Sequence, residues 1–207
     1  VQYRPFCKLW SYYDRILTHR LYQQDSIFPV RGAWSNRAIV YTQAGSQKPF
    51  MVAAVNRLTD LHFVGAAAGT ECMPLYRYDE EGNRLDNITD WSLAEFKKHY
   101  QPGRGKKPQP ITKEAIFHYV YAVLHDPRYR DKYAQNLKRE FPRIPLHGES
   151  DGTFWQWAGW GEALMALHIG YENVSPFALA RSDVPDKKVR ASGQSPKCIL
   201  KADKNAD

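Results

Sequence analysis

The stretch ITKEAIFHYVYAVLHDPRYRDKYAQNLKREFPRIP, residues 111–145, decides the fold. Thr112 has the side chain of a helix N-cap, and Glu114 in the first turn complements the helix dipole. Ile116, Phe117, Tyr119, Val120, Val123 and Leu124 then form a wide apolar stripe at helical spacing. Asp126-Pro127 ends that helix and starts another, with Asp126 as N-cap and Pro127 at the first helical position. Tyr129, Tyr133 and Leu137 carry the helical period onward, while Arg128, Arg130, Lys132, Lys138 and Arg139 crowd the remaining positions. Pro142 and Pro145 end the element. The spacing predicts a helical hairpin with a basic outer surface.

Upstream, residues 2–78 read as short strands rich in Val, Ile and aromatic side chains, punctuated by Gly, Pro and Asn. The expected strands are Gln2 to Phe6, Leu9 to Tyr13, Arg37 to Gln43, Phe50 to Arg57, Leu61 to Val64 and Met73 to Tyr78, with a short helix over Arg15 to Tyr22. Asp79 to Asn83 is an exposed turn. Thr89 or Asp90 caps a helix through Trp91 to Tyr100, and QPGRGKKPQP, residues 101–110, is a Pro-, Gly- and cation-rich loop. Downstream, Thr153 to Ile169 is the most aromatic segment. Phe154, Trp155, Trp157, Trp160, Leu164, Met165, Leu167 and His168 give it a large apolar face, with Gly159 and Gly161 as sites of close helix approach. Arg181 to Pro196 is polar, and Lys197 to Lys201 opens one further strand. The whole reads as α+β: a β-rich part over residues 1–88, a helical part over 89–180, and a polar C-terminal extension over 181–207.

A chain of 207 residues with 43% hydrophobic and 25% charged content buries a real core. Aromatics supply 28 residues, 13 of them Tyr. The formal charge is +7, and residues 1–79 carry nine Lys/Arg against five Asp/Glu, so most of the excess sits in the N-terminal third. That balance favours a polyanionic partner without demanding one. Cys7, Cys72 and Cys198 are an odd count with no CxxC pair, which excludes a disulfide framework and a zinc ribbon and fits a cytoplasmic location. The sequence shows no signal-peptide pattern and no apolar run of membrane-spanning length, so no membrane partner is expected. The opening VQYRPF without a methionine and the closing run KADKNAD lead us to expect a piece of a longer chain.

Base readout needs planar or forked donors such as Arg, Asn and Gln, whereas phosphate positioning uses Lys, Ser and backbone amides. Residues 31–57 hold Arg31, Ser35, Asn36, Arg37, Thr42, Gln43, Ser46, Gln47, Lys48, Asn56 and Arg57, and no Asp or Glu at all. Trp34 and Tyr41 add aromatic faces for sugars or bases. A solvated hairpin surface has the same composition. Arg104, Lys106 and Lys107 form a second candidate, a phosphate clamp or a merely solubilising loop. The faces carrying Arg128, Arg130, Lys138 and Arg139 also hold Asp131 and Glu140, and such mixed faces are usually solvated or internally paired. Trp155, Trp157 and Trp160 read as core rather than as a base-stacking platform. Bond-making chemistry is poorly represented. His62 has Asp60 beside it, but Asp60 more readily fixes a turn or the His62 tautomer; His168 reads as structural, and Cys7 and Cys72 lack a recognisable partner.

Several patches, taken in order, resemble one family. IFHYVYAVLHDPRYRDKYAQNLKREFPRIP is similar to the C-terminal specificity region of type ISP restriction–modification enzymes and their single-chain relatives. So are Tyr3-Arg4-Pro5-Phe6 followed by Tyr12-Tyr13-Asp14, then Lys48-Pro49-Phe50, Asp60-Leu61-His62-Phe63 and Met73-Pro74-Leu75-Tyr76. Trp160-Gly161-Glu162-Ala163-Leu164 and Leu167-His168 complete a resemblance over residues 3–177, from which Cys7 departs by standing where relatives often have an acid. The resemblance implies a non-catalytic domain that recognises double-stranded DNA, joined in one polypeptide to methyltransferase and helicase-like domains. S-adenosylmethionine, ATP and magnesium would belong to those neighbours, with no cofactor in this domain. Consistent with that division, the chain has no Asn-Pro-Pro-Tyr loop, no GxxxxGK[ST] and no clustered nuclease carboxylates. The alternative role is a docking module that couples motor and methyltransferase without touching bases.

Overall fold

The computed structural model describes residues 1–12, 14, 16–18, 22–29, 35–100, 109–175 and 178. Val1–Val174 make one compact unit. Of the expected helix over Arg15 to Tyr22, residues 15 and 19–21 lie outside the described residues and 16–18 and 22 are turn or bend; the expected strand at 197–201 lies wholly outside them.

The chain opens with a small antiparallel ribbon, β1 (Gln2–Arg4) and β2 (Cys7–Lys8), followed by a single helical turn, α1 (Gln24–Ile27). The main sheet has three antiparallel strands: β3 (Ala38–Thr42), β4 (Val52–Val55) and β5 (Thr70–Pro74), with β3 in the middle. Ala38 pairs with Val55 and Pro74, and Tyr41 with Val52 and Glu71. Side chains alternate across a strand, so the sheet divides two cores. Ile39, Tyr41, Val52 and Ala54 join the helical core; Ala38, Val40, Ala53 and Val55 pack with Phe28 and Phe63 on the other face. Both faces being covered explains why every residue of β3 and β4 is buried and why their sequences are near-continuous apolar runs. A second hairpin, β6 (Tyr76–Tyr78) and β7 (Arg84–Asp86), closes over the Asp79 turn, where Asp79 Oδ1 accepts from the Asn83 amide at 2.7 Å.

In α2 (Asp90–His99) the cap is Thr89, which accepts from Ser92 N; in α3 (Lys113–His125) it is Thr112, which accepts from Ala115 N. Asp126 caps α4 (Pro127–Lys132), with α5 (Ala134–Leu137) behind it, and Ser150 caps α6 (Asp151–Ile169). Helices α2, α3 and α4 start where the sequence predicts, whereas α6 starts two residues before the expected Thr153. Nine residues of α3 are buried, on both the sheet side and the α6 side. On α6 the buried residues are Phe154, Ala158, Gly161 and Met165. A Cβ on Gly161 would stand 1.8 Å from the His118 carbonyl oxygen, so this glycine sets how closely α6 meets α3; Gly159 faces open space. Tyrosine hydroxyls hold the strap between α5 and α6. Tyr119 donates to Pro145 O (2.9 Å) and accepts from His147 N (2.7 Å), and Tyr129 donates to Arg143 O (3.0 Å).

Several expected elements differ. Leu61 to Val64 is a turn, because Asp60 Oδ1 accepts from His62 N at 2.8 Å and folds the chain back. Residues 9–12 are not a strand, since β2 already ends at Lys8 and its partner β1 is only three residues long. The strand expected over Met73 to Tyr78 breaks at Leu75, whose amide donates to Arg37 O while its side chain turns into the core. The second helix of the hairpin breaks at Tyr133, and β7 carries no alternating pattern because all three of its residues are exposed. On α6 the predicted apolar face is narrower than its composition suggests. Trp155 and Trp157 are half-buried, but Trp160 is 53% exposed and Leu167 is exposed as well.

Candidate nucleic-acid interface

The described part of the acid-free segment, residues 35–57, folds into the β3–β4 hairpin, and its polar residues fall at two ends. Arg37 and Gln43 flank β3, and at strand rise they lie about 20 Å apart. Arg31 lies outside the described residues, as do Arg104, Lys106 and Lys107.

At the base of the hairpin the polar groups are spent inside the protein. Asn36 is 3% exposed. Its amide nitrogen donates to Ile27 O and Tyr76 O, both at 2.8 Å, and its oxygen accepts from Arg37 N (2.9 Å) and Tyr76 N (3.2 Å). That full complement leaves nothing for a base edge. Arg37 forms an ion pair with Glu114, and its Nη1 lies 3.2 Å from His118 Nε2. Burial, then the Arg37 charge, holds the His118 imidazole below its ordinary value, so a neutral ring nitrogen faces the guanidinium. Asn56 accepts from Arg57 Nε at 3.2 Å, and both side chains are half-buried. At the other end of β3, just below the tip, Thr42 is buried too, donating to Pro49 O (3.0 Å) and accepting from Met51 N (2.9 Å).

At the tip the situation is reversed. Gln43, Gln47 and Lys48 are exposed, and their side chains make no hydrogen bond among the described residues. The backbone beneath them is tightly held. Gln43 N donates to Gly69 O (3.1 Å), Ser46 N to Gln43 O (3.2 Å), and Lys48 N to Ser46 Oγ (3.1 Å). Gly45 takes φ +81°, a left-handed turn position that glycine occupies without cost, and its amide donates to Lys138 O at 2.6 Å. Phe50, at the end of the same loop, lies under the Arg130 guanidinium at 5.6 Å. Arg130 in turn donates to Leu124 O at 2.7 Å and is half-buried, so it belongs to the scaffold. The tip therefore rests on α4 and α5, beside the exposed Lys138 and Arg139. Those two read from sequence as an ordinary solvated helix face. Only the long-range contact from Gly45 brings them to the tip, and no local spacing announces it.

The remaining candidates are structural. Asp60 fixes the His62 amide and pairs with Arg4 at 3.3 Å, leaving the His62 ring exposed and unpartnered among the described residues. Burial pushes the Cys72 thiol up to about 12, which makes it a poor nucleophile. His168 Nδ1 is hydrogen-bonded to Tyr121 OH, and its ring lies 5.3 Å from that of His125. Burial pulls His125 down to about 4 and lowers His168 as well. Among the described residues no three His, Cys, Asp or Glu side chains converge as a metal site, and no helix is long and apolar enough to cross a membrane.

A family model described as the type ISP C-terminal specificity domain matches residues 1–205. Three solved structures are similar to the chain. A cryo-electron microscopy structure of a DrdV–DNA complex is 44% identical with a TM-score of 0.82, and covers 99% of this chain and 19% of that one. A nuclease-deletion mutant of the type ISP restriction–modification enzyme LlaGI, in complex with a DNA substrate mimic, is 29% identical with a TM-score of 0.65, covering 85% and 14%. The ATP-dependent type ISP restriction–modification enzyme LlaBIII bound to DNA is 25% identical with a TM-score of 0.68, covering 86% and 11%. The chain thus spans less than a fifth of the length of each of these solved chains. No curated protein matches it.

Proposed function

The chain belongs to the type ISP C-terminal specificity domain family, and from that premise we propose that it is the target-recognition domain of a restriction–modification enzyme. In this reading it binds double-stranded DNA, reads a short sequence and catalyses nothing itself. The observation that carries it is the hairpin tip. Gln47 presents a free planar amide and Lys48 a free ammonium, and the exposed Gln43 amide lies along Gly69, on a backbone braced from below by Gly69 and Lys138. A glutamine amide matches the donor–acceptor pair on the major-groove edge of adenine, and a lysine suits a guanine edge or a phosphate. A two-stranded hairpin is narrow enough to enter the major groove. Asn36, Arg37, Asn56 and Thr42 serve as the frame that holds the tip out.

The parent polypeptide, in this proposal, carries an adenine methyltransferase and an ATP-dependent motor and nuclease. S-adenosylmethionine, ATP and magnesium are held there. The domain grips the site while the methyltransferase flips out and modifies an adenine, an arrangement that separates reading from chemistry. A bacterial cytoplasm is the setting such an enzyme requires. One observation also favours a docking role beside the DNA role. Trp10 is fully exposed, and Tyr12, Ile16 and Leu17, close to it in sequence, are exposed as well. Apolar side chains on that scale suit burial against the adjoining methyltransferase domain.

The test is selection from a random-sequence duplex pool by the 207-residue chain, with the bound fraction sequenced at two salt concentrations. Enrichment of a short motif, lost in Q43A/Q47A/K48A, is the expected result. Absence of any binding at low salt overturns the reading and leaves the docking role.

A further inference from the structure

The hairpin tip is fixed to a second exposed, cationic element. Lys138 closes α5, and its carbonyl oxygen accepts from Gly45 N at 2.6 Å. This bond satisfies a helix-end carbonyl that would otherwise turn partial negative charge toward an approaching anion. The Lys138 and Arg139 side chains point to solvent and make no ion pair among the described residues. The nearest following acid, Glu140, is taken by Arg143 at 2.8 Å. No acid lies between Ala134 and Arg139. The platform beneath is rigid, with Leu137 5% exposed and Tyr129 bonded to the strap at Arg143. A second tie, Arg130 over Phe50, joins the same helical segment to the far side of the hairpin loop.

We infer that the end of α5, through Lys138 and Arg139, is a phosphate-contacting site that sets the register of the hairpin tip on duplex DNA. The inference rests on the DNA-recognition reading above. Phosphate contacts carry no sequence information but fix where a base-reading element lands. Lys138, bonded through its carbonyl to the reading loop, and Arg139, the next residue along, meet that requirement. A lysine supplies a point charge and an arginine a forked pair of donors. The division of labour is definite: Lys138 and Arg139 supply salt-dependent affinity, and Gln43 and Gln47 supply the sequence preference.

Salt-dependent binding with sequencing of the bound pool tests that division, using the 207-residue chain and its K138Q/R139Q, R139K and Q43A/Q47A variants. Losing two phosphate contacts should flatten the slope of log affinity against log salt by roughly 2. Affinity at a fixed moderate salt should fall about tenfold or more, with the enriched motif unchanged. R139K should keep the slope, since a charge remains. Q43A/Q47A should keep the slope and lose the motif. An unchanged slope in K138Q/R139Q, with the wild-type chain still selecting a motif, overturns this inference and leaves the recognition reading intact. A changed motif in K138Q/R139Q also overturns it, because those residues would then be reading bases. Absence of wild-type binding at low salt overturns both. Thermal melting of each variant separates these outcomes from misfolding, and neither substituted side chain is buried.

Discussion

The base and the tip of the β3–β4 hairpin are built from the same residue types in one acid-free segment, yet they do opposite work. At the base, Asn36 makes four hydrogen bonds and Arg37 pairs with Glu114 beside His118. At the tip, Gln43, Gln47 and Lys48 are exposed, Gln43 lying along Gly69, over a backbone fixed by Gly69 and Lys138. A polar side chain becomes structural when backbone groups that need partners surround it, and is left for recognition when they do not. Composition cannot separate the two cases.

The contrast is sharpest for Asn36→Ala. It leaves the Ile27 and Tyr76 carbonyls and two amides without their partner, and should cost about 2–4 kcal/mol in denaturant unfolding. An undiminished midpoint would place the base on a par with the tip. Gly161→Ala follows, because a Cβ 1.8 Å from His118 O must push α6 away from the ring that backs Arg37. We expect about 1–3 kcal/mol of destabilisation, against no loss for Gly159→Ala, which meets nothing within 4 Å. Comparing the two melting curves checks both.

Acid separates the two ends in a different way. His125 is held down to about 4 from an ordinary 6.5, with His118 and His168 lowered too, so the unfolded chain binds protons first as pH falls. Stability is therefore complete above about 6.5 and declines as pH falls toward about 4. His125→Gln should flatten the decline in urea midpoints between pH 6.5 and 5. The tip, residues 43–50, contains no histidine or carboxyl side chain, so DNA affinity per folded molecule should stay level. The smallest effect on stability is expected from Q43A/Q47A, within about 0.5 kcal/mol of wild type. A larger loss would mean that the tip is also part of the frame.

The helical half was largely legible before folding. Thr112 and Asp126-Pro127 are local signals, read within one turn of chain, and both caps form as predicted. The strands of the main sheet were legible because both faces are buried and their sequences are apolar throughout. Leu61 to Val64 misled because its apolar content is shared with a strand, while one Asp60–His62 bond makes it a turn. The break at Tyr133 has no warning in the spacing, since Tyr129, Tyr133 and Leu137 keep their period across it. Trp160 looked like core on composition and stands outside because α6 buries only the stripe that faces α3.

By itself, the sequence determined the α+β order, the starts of α2, α3 and α4, the apolar central strands and, through ordered patches of resemblance, the family. These depend on neighbours within a few residues or on residue identity alone. Tertiary structure alone decided which polar side chains of residues 31–57 are consumed and which are free, and that Lys138 sits against Gly45. The physical reason is that a hydrogen-bonding group takes whatever partner the fold brings within about 3 Å. For Asn36 that partner is 40 residues away, at Tyr76, and no local pattern records it.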